Sequence, residues 1–528
     1  MTFKNPILPG FYPEPSVCRV KDDYYLVTAT FGYFPGVPIF HSKDLVNWRQ
    51  IGNVLDRPSQ LPLDGAEISR GIFASTLRYY DGVFYLTSTN VSHGGNFLVT
   101  ATDPAGPWSE PFYIHGAAGI NPSLFFDTDG RCYYHGTCER QGGGKFFGDN
   151  EIYLQELDLG LMKLTGQRFV IWHGALKDSV WAESPHIYKK GEYYYLLISE
   201  GGSGHEHAVT VARSKTLTGY YTGHKSNPIL THRHLGKNYP IVNVGHGDLV
   251  DTPGGQAEWW MVVLASRPYG GRYRNLGRET FLVPVIWEDD WPVVNCGIGL
   301  VREEERFPKL AASAGKEKSL AEGDCGFYDF RKMAYSAGGL PMNMMFLRNP
   351  VPGDYMLKND GPGAGLHLRL NKNTIAELST VSYCCVRQQH KSFEARTRLF
   401  FTPVANENVG LVLFQSHKFH YQFVRTCGWL RVLKCENGRP TILAETSFPD
   451  DLPDVHLKII AQEQDLSFFF SPDGQNFSPV HENADARILS TDVAGGFVGT
   501  TIGMYASSNG EEAGEKFAVF TDFAYRGY

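Results

Sequence analysis

The chain has 528 residues, of which 42% are hydrophobic and 20% charged, with a formal net charge of −7. That length accommodates two independently cored domains, and the negative balance argues against nucleic acid, whose phosphates need a basic patch. No run approaches the roughly 20 apolar residues of a membrane span. The opening stretch MTFKNPILPGFYPEP lacks the charged-then-apolar order of a secretory signal. Nine cysteines without metal-ligand spacing read as reduced thiols, so a cytoplasmic protein is expected. Aromatic residues reach 13%, enough to fill cores and also offer ring faces to sugars.

Taken in chain order, one pattern recurs before residue 300: a short apolar run, a polar turn, then a run of aromatics. It appears as EPSVCRVKDDYYLV from Glu14, FASTLRYYDGVFYLT from Phe73 and NPSLFFDTDGRCYYHG from Asn121, then as SPHIYKKGEYYYLL from Ser184. A looser copy, GDLVDTPGGQAEWWMV, starts at Gly247. Aligning Tyr25, Tyr85, Tyr133, Tyr194 and Trp260 brings the five copies together. The turns DD, DG, DG, KG and GG tolerate positive φ and read as hairpins. Further strands follow each hairpin, as in IFHSKDLVNW, FLVTATD, IYLQELDL and AVTVARS. A unit of about four strands and 50–60 residues is a propeller blade, so residues 1–302 are expected to form a five-bladed β-propeller. The charged, small-residue stretch 303–325 reads as a linker. Alternation then resumes: SFEARTRLFF places Phe393, Ala395, Thr397 and Leu399 on one face, and residues 326–528 are expected to form a β-sandwich. The fold class is all-β.

Residues just ahead of the innermost strand of each blade converge on a shared funnel. The aligned repeats place Glu14, Asn121, Glu183 and Asp248 there, with His246 beside the last. Acidic and amide residues at four of five such positions are hard to explain by packing. Paired carboxyl groups across a sugar-sized gap are what glycosidic hydrolysis requires, one protonating the leaving oxygen and the other deprotonating water.

At these residues the chain resembles glycoside hydrolase family 43, the β-xylosidases and α-L-arabinofuranosidases. The likeness is carried by NPILPGFYPEPS, WAESPHIYKKGEYYYLLISEGG, HAVTVARS, GHGDLV and LGRETFLVPV. FLRNP, RQQHKSFEART and HYQFV are similar to the concanavalin-A-like sandwich often fused to these propellers. The resemblance implies an exo-acting, inverting enzyme that releases xylose or arabinose from xylo- and arabinoxylo-oligosaccharides, with no required cofactor. It implies Glu183 as general acid, Glu14 as general base and Asn121 at the position that tunes and orients the acid. Arg278 would contact the bound sugar, and Phe31 and Phe73 would wall its pocket. Phe497, in GGFVG, would reach the propeller from the sandwich, and His246 would help hold a calcium ion, directly or through water. The pentose oligosaccharide is the implied partner, and a homo-oligomer stays open.

The chain departs from the family pattern at two of the three acidic positions, with glutamate at 14 and asparagine at 121 where aspartate is usual, and AESPH replaces the commoner glycine form. The longer Glu14 side chain shifts its carboxylate by about 1.5 Å unless the backbone compensates. Asn121 removes a negative charge that would help Glu183 keep its proton. Two classes of function follow from this pattern: a retuned hydrolase, or a carbohydrate-binding protein that kept the pocket and lost turnover. A retaining enzyme of the fructosidase type is a third reading, which needs carboxyl groups only about 5–5.5 Å apart.

Overall fold

Each of the five repeats folds into a four-stranded antiparallel sheet in the computed structural model, which describes residues 2–254, 257–306, 308–309, 326–333, 339–359, 361, 363–404 and 406–528. The innermost strands of the blades are Ser16–Val20, Thr76–Tyr80, Ile120–Phe126, Glu183–Lys190 and Val242–Asp251. Each pairs with the next strand through the expected hairpin. The ring closes where Thr2–Lys4 pairs with Glu304–Arg306. The first residues of the expected linker are therefore a strand, while positions 307 and 310–325 lie outside the described residues.

Cys18, Phe125 and Val250 lie four residues after Glu14, Asn121 and His246 and face Tyr25, Tyr133 and Trp260, as Arg78 faces Tyr85; the same count from Ser184 reaches Tyr188. The fourth blade breaks the alignment read from sequence: its equivalent residue is Tyr195, opposite Tyr188, rather than Tyr194. The one-residue slip matters at the site.

The second domain stacks two eight-stranded sheets. Strand Phe393–Phe400 buries Phe393, Ala395, Thr397 and Leu399 and turns the intervening residues outward, as its alternation predicts. The domains are not beads on a string. Tyr33–Phe34, from the first blade's sequence, pairs with Met345–Leu347 and becomes the edge strand of a sandwich sheet. One hydrophobic cluster runs from Val37, Leu61 and Trp108 of the propeller to Phe330, Leu399 and Phe468 of the sandwich. Arg348, fully buried, ties the junction: its guanidinium donates to the carbonyls of Ala66, Glu377 and Ser379. No helix among the described residues is long and apolar enough to cross a membrane.

Candidate active site

Four of the five blades carry a non-glycine residue with left-handed backbone on the inner strand or just before it, each four residues ahead of the matching position named above: Glu14 (φ 56°), Asn121 (55°), Ser184 (54°) and His246 (51°). Such a conformation costs about 1–2 kcal/mol per residue and clusters at functional sites. Three of the four precede Pro15, Pro122 and Pro185, and the fourth precedes Gly247. Proline brings no N–H that a disrupted ladder would strand. The ladder register shifts between Ile120 and Ser123, between Glu183 and His186, and between Gly245 and Gly247. Irregularities of this kind re-aim side chains, here toward the propeller axis.

That register corrects the grouping read from sequence. Ser184 and His246, not Glu183 and Asp248, are the counterparts of Glu14 and Asn121. Glu183 sits one residue earlier and still faces the funnel. Asp248 sits two residues deeper and is fully buried. It accepts from Ser16 Oγ at 2.7 Å, Val17 N at 3.0 Å and Arg78 Nη1 at 3.0 Å, and from the Tyr188 hydroxyl. Burial pushes its carboxyl up, but Arg78, His186 and the Tyr188 bond outweigh that and leave it well below the usual range. Asp248 braces the first, second, fourth and fifth blades beneath the site.

All eight residues singled out in the sequence for catalysis, sugar contact or metal binding line one cavity of about 240 Å³: Glu14, Phe31, Phe73, Asn121, Glu183, His246, Arg278 and Phe497. That is below the roughly 300–1,000 Å³ of clefts for drug-sized ligands and suits a single sugar ring. Phe31 packs on Phe73 and Phe497 at ring-centroid distances of 5.4 and 5.8 Å, giving an apolar corner. Phe497 is 38% exposed, so it is pocket wall rather than sandwich core. Its backbone is pinned on both sides. The Phe497 N–H donates to Ser69 Oγ at 2.8 Å, and its carbonyl accepts from Arg278 Nε at 3.2 Å. Gly277 and Gly499 let the two backbones touch, since a Cβ on Gly277 would lie 2.7 Å from Gly499 Cα.

One arginine makes the two glutamates unlike, bonding Glu14 and not Glu183. Arg278 Nη1 donates to Glu14 Oε1 at 3.0 Å, with both side chains largely buried. Burial raises the Glu14 carboxyl, while the Arg278 charge and hydrogen bond oppose the rise. The Glu183 carboxyl, unlike its backbone, has no hydrogen-bond partner in the protein among the described residues. It is pushed up to about 8 by burial and by the Glu14 charge, with Arg278 acting only at a distance. The proton on Glu183 therefore owes its retention to burial and Glu14, not to a charge at position 121. Of the pair, Glu183 is the one built to hold a proton at neutral pH, and Glu14 the one with a counter-charge. Glu14 Oε2 and Arg278 Nη2 are buried and have no protein partner among the described residues, which leaves an acceptor and a donor for a ligand or water.

The donor set does not fit the calcium ion implied at His246. Among the described residues no group of three or more His, Cys, Asp or Glu side chains is placed to hold a metal. His246 Nδ1 is committed to Ser184 Oγ at 2.9 Å, and its charged or ring neighbours are His186, His207, Arg278 and Asp248, the last with its oxygens taken by Ser16, Val17, Arg78 and Tyr188, whereas calcium needs six to eight oxygens. The cavity also contains residues not singled out as site residues from the sequence, chiefly Ser184, His207 and Trp181. Ser184 was legible had the bulge been counted. His207 opens the HAVTVARS block, and Trp181 stands two residues before Glu183.

A propeller whose axial pocket pairs a protonated glutamate with a salt-bridged one, beside aromatic walls, is a glycosidase by class. Comparison with known proteins agrees: the model for glycosyl hydrolases family 43 matches residues 3–292, and that for the beta xylosidase C-terminal concanavalin A-like domain matches residues 332–526. The chain belongs to glycoside hydrolase family 43. A xylosidase/arabinosidase of Butyrivibrio fibrisolvens is 47% identical over 99% of this chain and 98% of its own. A non-reducing end alpha-L-arabinofuranosidase of Bacteroides ovatus is 37% identical over 99% of this chain and 95% of its own. The crystal structure of a xylan beta-1,4-xylosidase from Bacillus halodurans superposes with a TM-score of 0.88 at 33% identity, covering 99% of this chain and 100% of that one.

Proposed function

We propose that the protein is an exo-acting, inverting glycosidase that releases xylose or arabinose from the non-reducing ends of xylo- and arabinoxylo-oligosaccharides. The observation that carries this reading is the division of labour between Glu183 and Glu14 in one small, one-ring pocket. Relatives named for xylosidase and arabinosidase activity along the whole chain support the pentose. In the proposed reaction the sugar sits against Phe31, Phe73 and Phe497 with Arg278 Nη2 as donor. Glu183 gives its proton to the glycosidic oxygen as the C–O bond breaks. Water, losing its proton to Glu14 Oε2, attacks the anomeric carbon from the opposite face. One carboxyl ends deprotonated and the other protonated, and solvent exchange resets both. A cytoplasmic setting fits the eight described cysteines, all unbridged thiols.

The test is turnover of aryl β-xylosides and aryl α-L-arabinofuranosides from pH 4 to 9. We expect hydrolysis of at least one. For substrates with poor leaving groups, kcat/KM should fall as pH rises through about 8, where Glu183 loses its proton. Pentose binding without turnover at any pH would overturn the proposal in favour of a binding protein.

A further inference from the structure

Asn121, one of the chain's departures from the family pattern, touches Ser184 of the AESPH block. Asn121 Nδ2 donates to Ser184 Oγ at 2.9 Å, and Ser184 Oγ meets His246 Nδ1 at 2.9 Å. All three residues are more than nine-tenths buried, so each polar atom needs a partner. An amide N–H only donates, so Ser184 Oγ accepts from Asn121. The buried Ser184 hydroxyl hydrogen needs an acceptor, and among the described residues it has one, His246 Nδ1, which is therefore the bare ring nitrogen. The imidazole is neutral, because burial and then His186, His207 and Arg278 hold it well below its ordinary value. Its single proton therefore sits on Nε2.

The neighbouring ring is fixed the opposite way. His207 Nδ1 lies 3.0 Å from the carbonyl oxygen of Asn243. A carbonyl only accepts, so Nδ1 carries the proton and Nε2 is bare. The ring is held flat over the chain, since a Cβ on Gly245 would lie 2.3 Å from it. Both histidines line the pocket, and neither Nε2 has a protein partner among the described residues.

We propose that Asn121 and Ser184 are positioning residues whose hydrogen-bond chain fixes His246 as a donor beside the acceptor His207, so that the two rings together recognise sugar hydroxyls. A hydroxyl both donates and accepts, and the pair offers one partner of each kind. This rests on the pocket being the sugar site of the proposed glycosidase. It also gives the unusual asparagine a role. A carboxylate at 121 only accepts, so the Ser184 hydroxyl would turn to it, His246 Nδ1–H would donate to Ser184, and Nε2 would become a second acceptor.

The experiment uses the full chain labelled with 15N-histidine, with long-range proton–nitrogen spectra at neutral pH and assignments from His246→Asn and His207→Asn. We expect His246 protonated on Nε2 and His207 on Nδ1. In Asn121→Asp the His246 pattern should invert while His207 stays unchanged. In Ser184→Ala, His246 should show both tautomers, and affinity for free xylose and arabinose, read by calorimetry, should fall about tenfold as one hydrogen bond loses its partner. Ser184→Gly gives the same readout should alanine strain the left-handed backbone. A parent His246 protonated on Nδ1, or an Asn121→Asp spectrum identical to the parent's, overturns the proposal. Tautomers as expected in an enzyme that hydrolyses no pentoside would count against the glycosidase reading and leave the relay standing.

Discussion

A carboxyl pushed up to about 8 keeps its proton where an unfolded chain would already have lost it, since its ordinary value is 4.5. Between those limits the folded state binds more protons than the unfolded one, so this group's contribution to stability falls as pH rises. Glu183→Gln removes that dependence, and its melting temperature should exceed the parent's on the alkaline side and converge with it near pH 4. The same variant should lose at least about 100-fold in kcat/KM on xylobiose, and far less on aryl glycosides whose leaving groups need little protonation. Full activity on xylobiose would remove Glu183 from the acid's role. Arg278 gives a second test. It opposes the rise of both glutamates and bonds one of them. Arg278→Met should move both limbs of the pH–rate profile to higher pH and lower kcat/KM by about 10- to 100-fold, the worth of a charged hydrogen bond. A profile that merely drops without shifting would mean that Arg278 binds sugar but does not tune Glu14.

At the scale of elements, the repeat was legible because hairpin turns and aromatic runs recur, and the propeller follows from them. What was not legible was the exact register at the axis. A β-bulge adds residues to one strand without changing the hydrophobic pattern around it. Tyr194 therefore stood in for Tyr195, and Asp248 looked like a funnel residue when it is the buried partner of Arg78. Phe497 was equally ambiguous in sequence, because a phenylalanine between glycines suits a core or a loop. Its 38% exposure and its contacts with Phe31, Ser69 and Arg278 decide for the loop. Phe497→Ala should raise KM about tenfold, as expected for loss of apolar contact with the sugar ring, while the melting temperature changes by less than about 2 °C. A large drop in melting temperature with unchanged KM would return Phe497 to the core.

For the whole molecule, the sandwich lines the candidate pocket through Phe497 and is part of the propeller's packing. Tyr33–Phe34 pairs with Met345–Leu347, Arg348 is buried against Ala66, and one apolar cluster crosses the junction. Calorimetry should show one cooperative transition, and a chain truncated after residue 306 should be insoluble or inactive. Two separated transitions, or an active truncated propeller, would show that the domains are independent. The claim on which everything else rests is that Glu183 and Glu14 serve a single displacement at the anomeric carbon of a terminal pentose. Proton NMR of the first minutes of hydrolysis of xylobiose, and of an α-L-arabinofuranosyl xylo-oligosaccharide, reads this directly. The predicted result is release of one pentose from the non-reducing end of at least one of them, first seen as the anomer opposite to the bond cleaved. Release of the same anomer as the bond cleaved, or no release from either substrate, would contradict it.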